Sequence, residues 1–433
     1  MTSTFLLALW AGGGNVPPQL GLARQLAVAG NRVRVLAPAA LQQRIEAAGL
    51  EFEPYRNTPE HDESDPARSV IRDFELRSPI AAAKAQRDRL LGDFAEPVAK
   101  DILAILERDP ADTVVFDFML LGALFAAEKA DIPAAMLVHT IYPFPAPGLP
   151  PFGNGWSPRS GRLGSARDKL GAVAFQRVWL NPLTTRLNEV RDRLGLRPSS
   201  FEDMLNAVPR ILVLTSGSFD FPARLPANVR YVGPHLEPVD ETAPWEAPWP
   251  AGDTRPLVVV SLSTTYQGQE TLVRNTVEAV GQLPVRALIT AGPVQVPGGQ
   301  VPPNVHVARF VPHASVLPHA AAVVTHAGHG TVMAALRHGL PLVCLPMGRD
   351  QGDIAARVAW HGAGVRLSAR SNAAKIGTRI EQVLRDPAFT TAAQRLAATI
   401  AETEAAGTGV NELVGLATRR LGPHVVSDDG RVA

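Results

Sequence analysis

Cysteine is nearly absent from this chain of 433 residues, which contains only Cys344. A single thiol excludes a disulfide bond within the chain, and with it the small secreted domains that disulfides hold together. Cys344 lies in an apolar stretch and is predicted to be a small core residue. We therefore expect a protein of a reducing compartment, the cytosol.

An excess of charge of one sign is also lacking, since 42 Lys and Arg residues balance 41 Asp and Glu residues. No basic cluster is present, so the sequence does not indicate binding to nucleic acid or to a membrane surface. No apolar run approaches the roughly 20 residues that a membrane-spanning helix needs. Residues 5–11 are apolar but short, with no Lys or Arg before them, and we interpret them as a first strand and not as a signal peptide.

What is present is the composition of a globular protein, with 46% hydrophobic and 19% charged residues. The length exceeds one typical core, so we predict two domains, at residues 1–218 and 255–421, joined by a linker at 219–254. Apolar stretches alternate with helical patterns, which predicts parallel sheets covered by helices. The predicted strands are residues 4–9, 32–37, 114–118, 134–139, 211–214, 257–261, 286–290, 305–307, 322–325 and 342–345. Residues 423–433 are predicted to be disordered.

The most informative segment runs from residue 326 to residue 351 and reads HAGHGTVMAALRHGLPLVCLPMGRDQ. It follows an apolar predicted strand, begins with a glycine-rich turn, and continues into a helical stretch at residues 331–338. Backbone N–H groups at the start of such a helix lack partners within the helix, and they bind anions. Gly328 and Gly330 allow the backbone to approach a phosphate closely. The turn is therefore a predicted phosphate site.

The segment closes on Asp350 and Gln351, which follow the predicted strand 342–345 and should reach the same crevice. With these motifs the chain resembles the family 1 glycosyltransferases of the GT-B fold, especially bacterial enzymes that act on natural products such as macrolides. In that family the histidine and the Gly/Thr turn hold the donor diphosphate, and the Asp-Gln pair hydrogen-bonds the sugar hydroxyls. The residues that match by position are His326, Gly328, Gly330, Thr331, Asp350 and Gln351.

The resemblance extends to other parts of the donor site. Ser263 and Thr264 occupy the turn that contacts the diphosphate, although an ordinary polar loop would have the same composition. Phe310 and Val311 match the segment that stacks on the base and contacts its edge; the alternative is a core phenylalanine at a strand end. Ala334 replaces a glutamate that binds the ribose in plant members, which leaves room for a deoxyribose donor such as a dTDP-sugar, with a UDP-sugar as the other expectation.

Histidines are frequent in this region, and His326 and His329 have a spacing that can chelate a metal ion. No cysteine or paired carboxylate completes a ligand set, so no metal site is predicted. We interpret His313 and His319 as surface or capping residues. No cofactor is expected, because the nucleotide sugar is a co-substrate.

The acceptor side departs from the family pattern. The loop at residues 14–20 aligns with one that usually carries a catalytic histidine, and here Asn15 occupies that position. An amide can orient a nucleophile but cannot take its proton near neutral pH. Asp117 and His139, at two predicted strand ends, are the candidates for the missing base. Each has a structural alternative, as a helix cap and as a histidine satisfied at a strand end. An acidic acceptor would need little help from a base.

The resemblance implies two Rossmann-like domains that face across a cleft, with the last helix returning to the first domain. It implies inverting, metal-independent transfer of a sugar to a hydrophobic small molecule, in a pocket shaped by residues 74–91 and 142–156. Two alternatives stay open. One is a related enzyme of altered chemistry, such as an epimerase, which Asn15 keeps open; the other is a non-catalytic protein that binds nucleotide sugars or assists a partner transferase, against which the intact donor motif argues. The oligomeric state is open, a homodimer included.

Because the sequence predicts no complete set of metal ligands, metal independence is the first property to test. Sugar transfer should be unchanged by EDTA, because the leaving diphosphate would be neutralised by N–H groups and not by a divalent cation. Initial rates with and without EDTA measure this directly. Activity that disappears with EDTA and returns with Mg²⁺ or Mn²⁺ would contradict the prediction.

Overall fold

The computed structural model describes residues 2–62, 69–70, 75–76, 78–159, 161–236, 245–263, 266–292, 294 and 301–418. Within these residues the strands form two parallel sheets, in the orders β3-β2-β1-β4-β5-β6-β7 and β10-β9-β8-β11-β12-β13. The first sheet consists of β1 (Thr4–Ala8), β2 (Arg32–Ala37), β3 (Glu51–Pro54), β4 (Thr113–Asp117), β5 (Ala134–Val138), β6 (Arg210–Val213) and β7 (Val229–Tyr231). The second consists of β8 (Leu257–Ser261), β9 (Arg286–Thr290), β10 (Val305–Ala308), β11 (Ala322–Thr325), β12 (Leu342–Cys344) and β13 (Gly364–Arg366).

Helices cover both faces of each sheet, and each sheet has a hydrophobic cluster on either side. The first half contains α1 (Val16–Val28), α2 (Gln42–Ala47), α3 (Pro79–Gln86), α4 (Ala95–Arg108), α5 (Gly122–Ala130), α6 (Gly161–Phe175), α7 (Asn181–Arg193) and α8 (Phe201–Asn206). The second half contains α9 (Glu270–Gly281), α10 (His313–Val316), α11 (His329–Arg337), α12 (Gln351–Trp360), α13 (Ala373–Arg385), α14 (Pro387–Ala405) and α15 (Thr408–Thr418). Short 3₁₀ turns lie at Ala39–Leu41 and Leu317–His319, and π-helical turns at Arg87–Asp93 and Gln176–Leu180. No described helix has both the length and the apolar character needed to cross a bilayer.

The predicted fold class is confirmed, but the sheets contain three strands that the sequence pattern did not reveal. These are β3, β7 and β13, and β7 lies inside the stretch 219–254 that we interpreted as linker. All three lie at sheet edges and have only three or four residues. An edge strand of this length is half exposed, so it carries neither a continuous apolar run nor a readable alternation.

The strand order places one crevice in each domain. In the first sheet the chain proceeds outward from β1 through β2 and β3, and then returns to β4 on the other side of β1. The second sheet repeats this arrangement around β8 and β11. Ligands of open parallel sheets bind beyond the carboxyl ends of the strands where the order reverses. The two reversal points predict where each half of a shared site should lie.

The last helix joins the second half of the chain to the first domain. Leu413 and Leu416 of α15 are buried in the same hydrophobic cluster as Leu20 and Leu22 of α1. The carboxylate of Glu412 also accepts a hydrogen bond from the guanidinium of Arg210, which begins β6. Apolar burial together with an ion pair therefore fixes α15 on the first domain.

The segment that we name the proline-rich loop, residues 142–158, contains no helix or strand, as its composition predicts. Tyr142 and Phe144 at its start are buried in the core of the first domain. Of the segment 74–91, residues 75–76 and 78–91 are described, whereas Phe74 is not. Residues 423–433 also lie outside the described residues.

The packing of α4 on α5 gives a stability test. Gly122 begins α5, and a Cβ atom at this position would lie 1.8 Å from the backbone oxygen of Ala95. Gly122→Ala should therefore lower the free energy of unfolding by about 3 kcal/mol, the upper end for overpacked sites. Gly415→Ala is the matched control, because a Cβ there meets nothing within 4 Å. Urea denaturation should show the control unchanged or slightly more stable; equal losses for both would refute this account of the contact.

Candidate functional site

The three predicted acceptor-side residues lie together at the carboxyl ends of neighbouring strands. Asp117 ends β4, His139 directly follows β5, and Asn15 lies in the turn between β1 and α1. The imidazole Nδ1 of His139 is 2.7 Å from Oδ2 of Asp117. Asn15 Nδ2 donates to the same oxygen at 3.3 Å. Parallel pairing of β1, β4 and β5 produces this convergence.

Asp117 is fully buried and is surrounded by hydrogen-bond donors. Its Oδ1 accepts the backbone N–H of Met119 at 2.9 Å, and its Oδ2 accepts from the side-chain amide of Gln19 as well as from Asn15. Burial alone would raise the pKa of this carboxyl group. The imidazole of His139 and the hydrogen bonds outweigh burial and hold the pKa of Asp117 below its ordinary value. Asp117 is therefore ionised, and the adjacent Nδ1 of His139 carries the proton.

Asn15 does not face the crevice as an orienting group for a substrate. Only 2% of its surface is exposed, and its Nδ2 also donates to the backbone oxygen of Trp10 at 2.9 Å. Its Oδ1 accepts the N–H of Gly12 at 3.0 Å. Both polar atoms of the side chain are hydrogen-bonded within the protein, and Asn15 affects the site through its hydrogen bond to Asp117. Gln19, which sequence reasoning missed, lies four residues later on the same face of α1, a spacing that could have revealed it.

Aromatic rings surround His139. The ring of Phe118 lies 5.1 Å from the imidazole and that of Trp10 lies 6.5 Å away, measured between centroids. Phe144 of the proline-rich loop contacts both Phe118 and Tyr142 edge-on. The side chain of His139 remains 17% exposed among these largely buried rings. A substrate that reached His139 would therefore meet an apolar, aromatic environment.

On the donor side, His326 directly follows β11 and is buried. Its Nδ1 lies 3.0 Å from the backbone N–H of Ser263 and 3.3 Å from the backbone oxygen of Ser261; the shorter contact favours a neutral ring that accepts from Ser263 and carries its proton on Nε2. Burial lowers the pKa of His326 to about 4, so the ring is neutral near pH 7. A Cβ atom on Gly328 would lie 2.6 Å from this Nε2. Glycine is required here because a side chain would collide with the Nε2–H donor.

The glycine-rich turn forms the predicted helix start. Gly328 is the N-cap of α11, and Gly330 and Thr331 belong to its first turn. Ala327 before them has a positive φ of 68°, an uncommon conformation for a residue with a side chain. Apart from its chain neighbours and the backbone of α11, no atom of the described residues lies within 4 Å of a Cβ built on Gly330. The protein's own packing therefore does not require this glycine, whereas close approach of an anion to the first-turn N–H groups would.

The other predicted donor residues follow neighbouring strands of the same sheet. Ser263 is buried with a φ of 75°, and its hydroxyl accepts from the amide of Gln267 at 2.9 Å. Thr264 lies outside the described residues. Phe310 follows β10 and is 69% exposed, so the core alternative for this ring is wrong. Val311 is half-buried against the core of the second domain. An exposed ring at a strand end is suited to stacking on a base.

Asp350 and Gln351 begin α12, but they have different surroundings. Asp350 Oδ2 accepts the hydroxyl of Thr140 at 2.6 Å, across the cleft from the first domain. Gln351 is buried; its Oε1 accepts the N–H of Met347 at 2.8 Å, and its Nε2 donates to Gln267 at 3.0 Å. Gln351 therefore orders its own loop, and Asp350 is the better placed of the pair for a substrate. Thr140, next to His139, was not identified from the sequence.

The described residues contain no group of three or more His, Cys, Asp or Glu side chains suited to a metal ion. His326 Nδ1 is already bonded to Ser263, and His329 is buried, with its pKa lowered to about 4 by that burial. The two histidines therefore do not form a chelating pair with a third ligand in this part of the chain.

Comparison with known proteins places the chain among proteins of similar sequence. The profile of the family described as "Erythromycin biosynthesis protein CIII-like, C-terminal domain" matches residues 267–415. The chain is 33% identical over 426 residues to 4'-demethylrebeccamycin synthase from Lentzea aerocolonigenes, covering 96% of this chain and all of that protein.

Solved structures share the fold. The calicheamicin glycosyltransferase CalG4 superposes with a TM-score of 0.74 at 21% identity, covering 97% of this chain and 100% of that one. The glycosyltransferase VinC in complex with dTDP gives a TM-score of 0.67 at 21% identity, covering 96% and 99%. These likenesses confirm the GT-B architecture.

The surroundings of His326 predict how it contributes to phosphate binding. His326→Ala should weaken UDP or dTDP binding by about 1.5–3 kcal/mol, the scale of a hydrogen bond to a charged group. Because the pKa of His326 is about 4, the ring stays neutral from pH 6 to 8, and the difference between variant and parent should not vary over that range. Calorimetry measures both effects, with His338→Ala at the far end of α11 as the control. Unchanged affinity, or a loss that depends on pH, would exclude this role.

Proposed function

The chain belongs to the natural-product glycosyltransferases of the GT-B fold, and on that premise we propose that it transfers a sugar, with inversion and without a metal ion, from a UDP- or dTDP-sugar to a hydrophobic small molecule. The observation that carries the proposal is the buried contact of 2.7 Å between His139 and Asp117, beside the position where the family's histidine is replaced by Asn15. A histidine–carboxylate pair is thus present although the usual histidine is not.

We assign the general base to His139. With the proton on Nδ1 donated to Asp117, the lone pair on Nε2 is the basic site of the ring. As the acceptor atom forms its bond to the anomeric carbon, His139 Nε2 takes the proton from the acceptor O–H or N–H group. The ionised Asp117 stabilises the imidazolium that results. Asn15 and Gln19 are positioning residues, because their amides hold Asp117 and do not reach the reacting atoms themselves.

The leaving group is the nucleoside diphosphate, which takes the electron pair of the bond between the anomeric carbon and the phosphate oxygen. Its developing charge would meet the Nε2–H of His326 and the N–H groups of Gly330 and Thr331 at the start of α11. A neutral histidine and a helix start supply these donors without a metal ion. Inversion would follow from a single displacement, in which the acceptor attacks the anomeric carbon on the face opposite its bond to the departing diphosphate.

Recognition of the sugar is assigned mainly to Asp350. Its carboxylate faces the first domain, where Thr140 donates to it. A hydroxyl of the donor sugar could take the place of the Thr140 hydroxyl with little change in geometry. Gln351 contributes by ordering residues 347–348, since its amide oxygen accepts both of their N–H groups. The rings around His139 favour an acceptor with an apolar, aromatic surface next to its reactive group.

The assignment of the base predicts specific losses. His139→Ala and Asp117→Asn should each lower kcat for the native acceptor by ~10²–10⁴, the usual span for general base catalysis. Nucleotide affinity should stay within about twofold of the parent, because neither residue belongs to the donor domain. Single-turnover transfer and calorimetry measure the two quantities, and His306→Ala on β10 is the control histidine.

Acceptors of different acidity distinguish a catalytic base from a structural residue at position 139. The loss in His139→Ala should shrink with acceptors of lower pKa, because a more acidic group needs less assistance. A loss that is equal for all acceptors would remove His139 from this role. Incubation with donor alone tests the class of reaction, since rapid epimerisation of the sugar, or binding without any transfer to acceptors, would overturn the proposal.

A further inference from the structure

The proline-rich loop connects the two domains. It begins in the core of the first domain through Tyr142 and Phe144, whereas Phe152 near its middle packs against the core of the second domain. Its glycine-containing tip, residues 153–155, lies on the amino-terminal turn of α12. The loop is therefore shared between the acceptor side and the helix that begins at the donor site.

Asp353 makes the contact with this tip. One carboxylate oxygen accepts the backbone N–H of Gly153 at 2.8 Å, and the other accepts that of Gly155 at 3.0 Å. Asp353 is only 3% exposed. Its burial raises the pKa of this carboxyl group to about 6, against the influence of Arg357 and of the two N–H donors. An ionised Asp353 carboxylate at this buried position is stabilised by the N–H groups of Gly153 and Gly155.

The close packing around Gly155 also indicates that the tip of the loop docks on α12. Gly155 has a φ of 61°, and a Cβ atom on it would lie 2.7 Å from the guanidinium of Arg366 and 3.0 Å from the carbonyl carbon of Gly352. Arg366 donates to the backbone oxygen of Gly155 at 2.5 Å. Glycine is therefore the only residue type that fits at position 155 without displacing α12 or Arg366.

We propose that Asp353 is a positioning residue for the acceptor. Its carboxylate holds the proline-rich loop on α12, a contact that we call the clasp. The clasp keeps the aromatic rings around His139 in place against the donor domain. This inference rests on the proposed transfer function. Asp353 lies three residues after Asp350, on the same helical turn. A displacement of α12 would therefore move the sugar-binding carboxylate and the loop together, so that the two substrates are aligned by one helix.

Hydrogen exchange of the ligand-free protein tests the clasp without any need for activity. The amides of Gly153 and Gly155 should be protected in the parent and should exchange at least about tenfold faster in Asp353→Ala, because they lose a charged acceptor. Asp386→Ala is the matched control: its carboxylate also accepts a backbone N–H, from Ala388, but it lies at the start of α14. Unchanged exchange at the loop tip in Asp353→Ala would overturn the proposal.

Kinetics test the consequence for the acceptor. In Asp353→Ala the acceptor KM should rise about tenfold, while kcat and the affinity for UDP or dTDP stay within about threefold. Asp353→Asn keeps one accepting oxygen and should recover part of the loss. A fall in kcat with an unchanged acceptor KM would contradict the positioning role.

A second variant covers the case in which Asp353→Ala does not fold. Gly155→Ala leaves the carboxylate intact and blocks the docking of the tip, so it should reproduce both the faster exchange and the higher acceptor KM. Normal exchange and KM in Gly155→Ala would count against the clasp. If the exchange results agree with the clasp but no nucleotide sugar supports transfer to any acceptor, the proposed function fails and the clasp stands.

Discussion

The buried ion pair between Asp220 and Arg357 holds α12 of the second domain against the segment that follows the first domain. The guanidinium of Arg357, on α12, lies 2.6 Å from the carboxylate of Asp220, and neither side chain is more than 4% exposed. Asp220 also accepts the hydroxyl of Tyr231 at 2.7 Å, while Arg357 lies 4.1 Å from the ring centre of Phe221. Removing one partner of such a pair leaves an uncompensated charge, which costs about 3–5 kcal/mol. The pair thus fixes α12, and with it both the donor carboxylate and the contact to the proline-rich loop.

On the two sides of this interface, different effects dominate the pKa shifts of the ionisable groups. On the acceptor side, burial raises the pKa of Asp117, but the imidazole of His139 and the hydrogen bonds outweigh it and keep that pKa below its ordinary value. On the donor side, burial prevails and lowers the pKa of His326 to about 4. Both directions suit the proposed chemistry. A histidine base is strengthened by a fixed negative partner, whereas a diphosphate site benefits from an N–H donor that does not titrate near neutral pH.

Much of this arrangement could be predicted from the sequence, because parallel strands deliver their following residues to one edge of a sheet. That rule placed Asp117 and His139 in one crevice, and His326 and Asp350 in the other. It could not reveal Gln19, which only the helical spacing from Asn15 indicates, or Thr140, whose role depends on a side-chain contact made only after the chain folds. The contact of Thr140 with Asp350 spans 210 residues and joins two domains, so no local pattern carries it. The edge strand β7 was missed for a different reason, since three residues, of which two are only half-buried, are too few to show a period.

Asn15 shows why a departure from a motif has to be interpreted in three dimensions. From the sequence it removes the expected base and leaves the chemistry open. In the structure its amide donates to Asp117, which by resemblance to the family matches the aspartate that orients a histidine at this position, and that carboxylate contacts His139. The carboxylate is thus retained while its imidazole partner comes from the neighbouring strand. Because β5 lies beside β4, the substitution needs no change in the sheet, only a histidine at the end of the next strand. If His139 is the base, as we propose, the same crevice keeps acid–base chemistry with the base placed on the neighbouring strand.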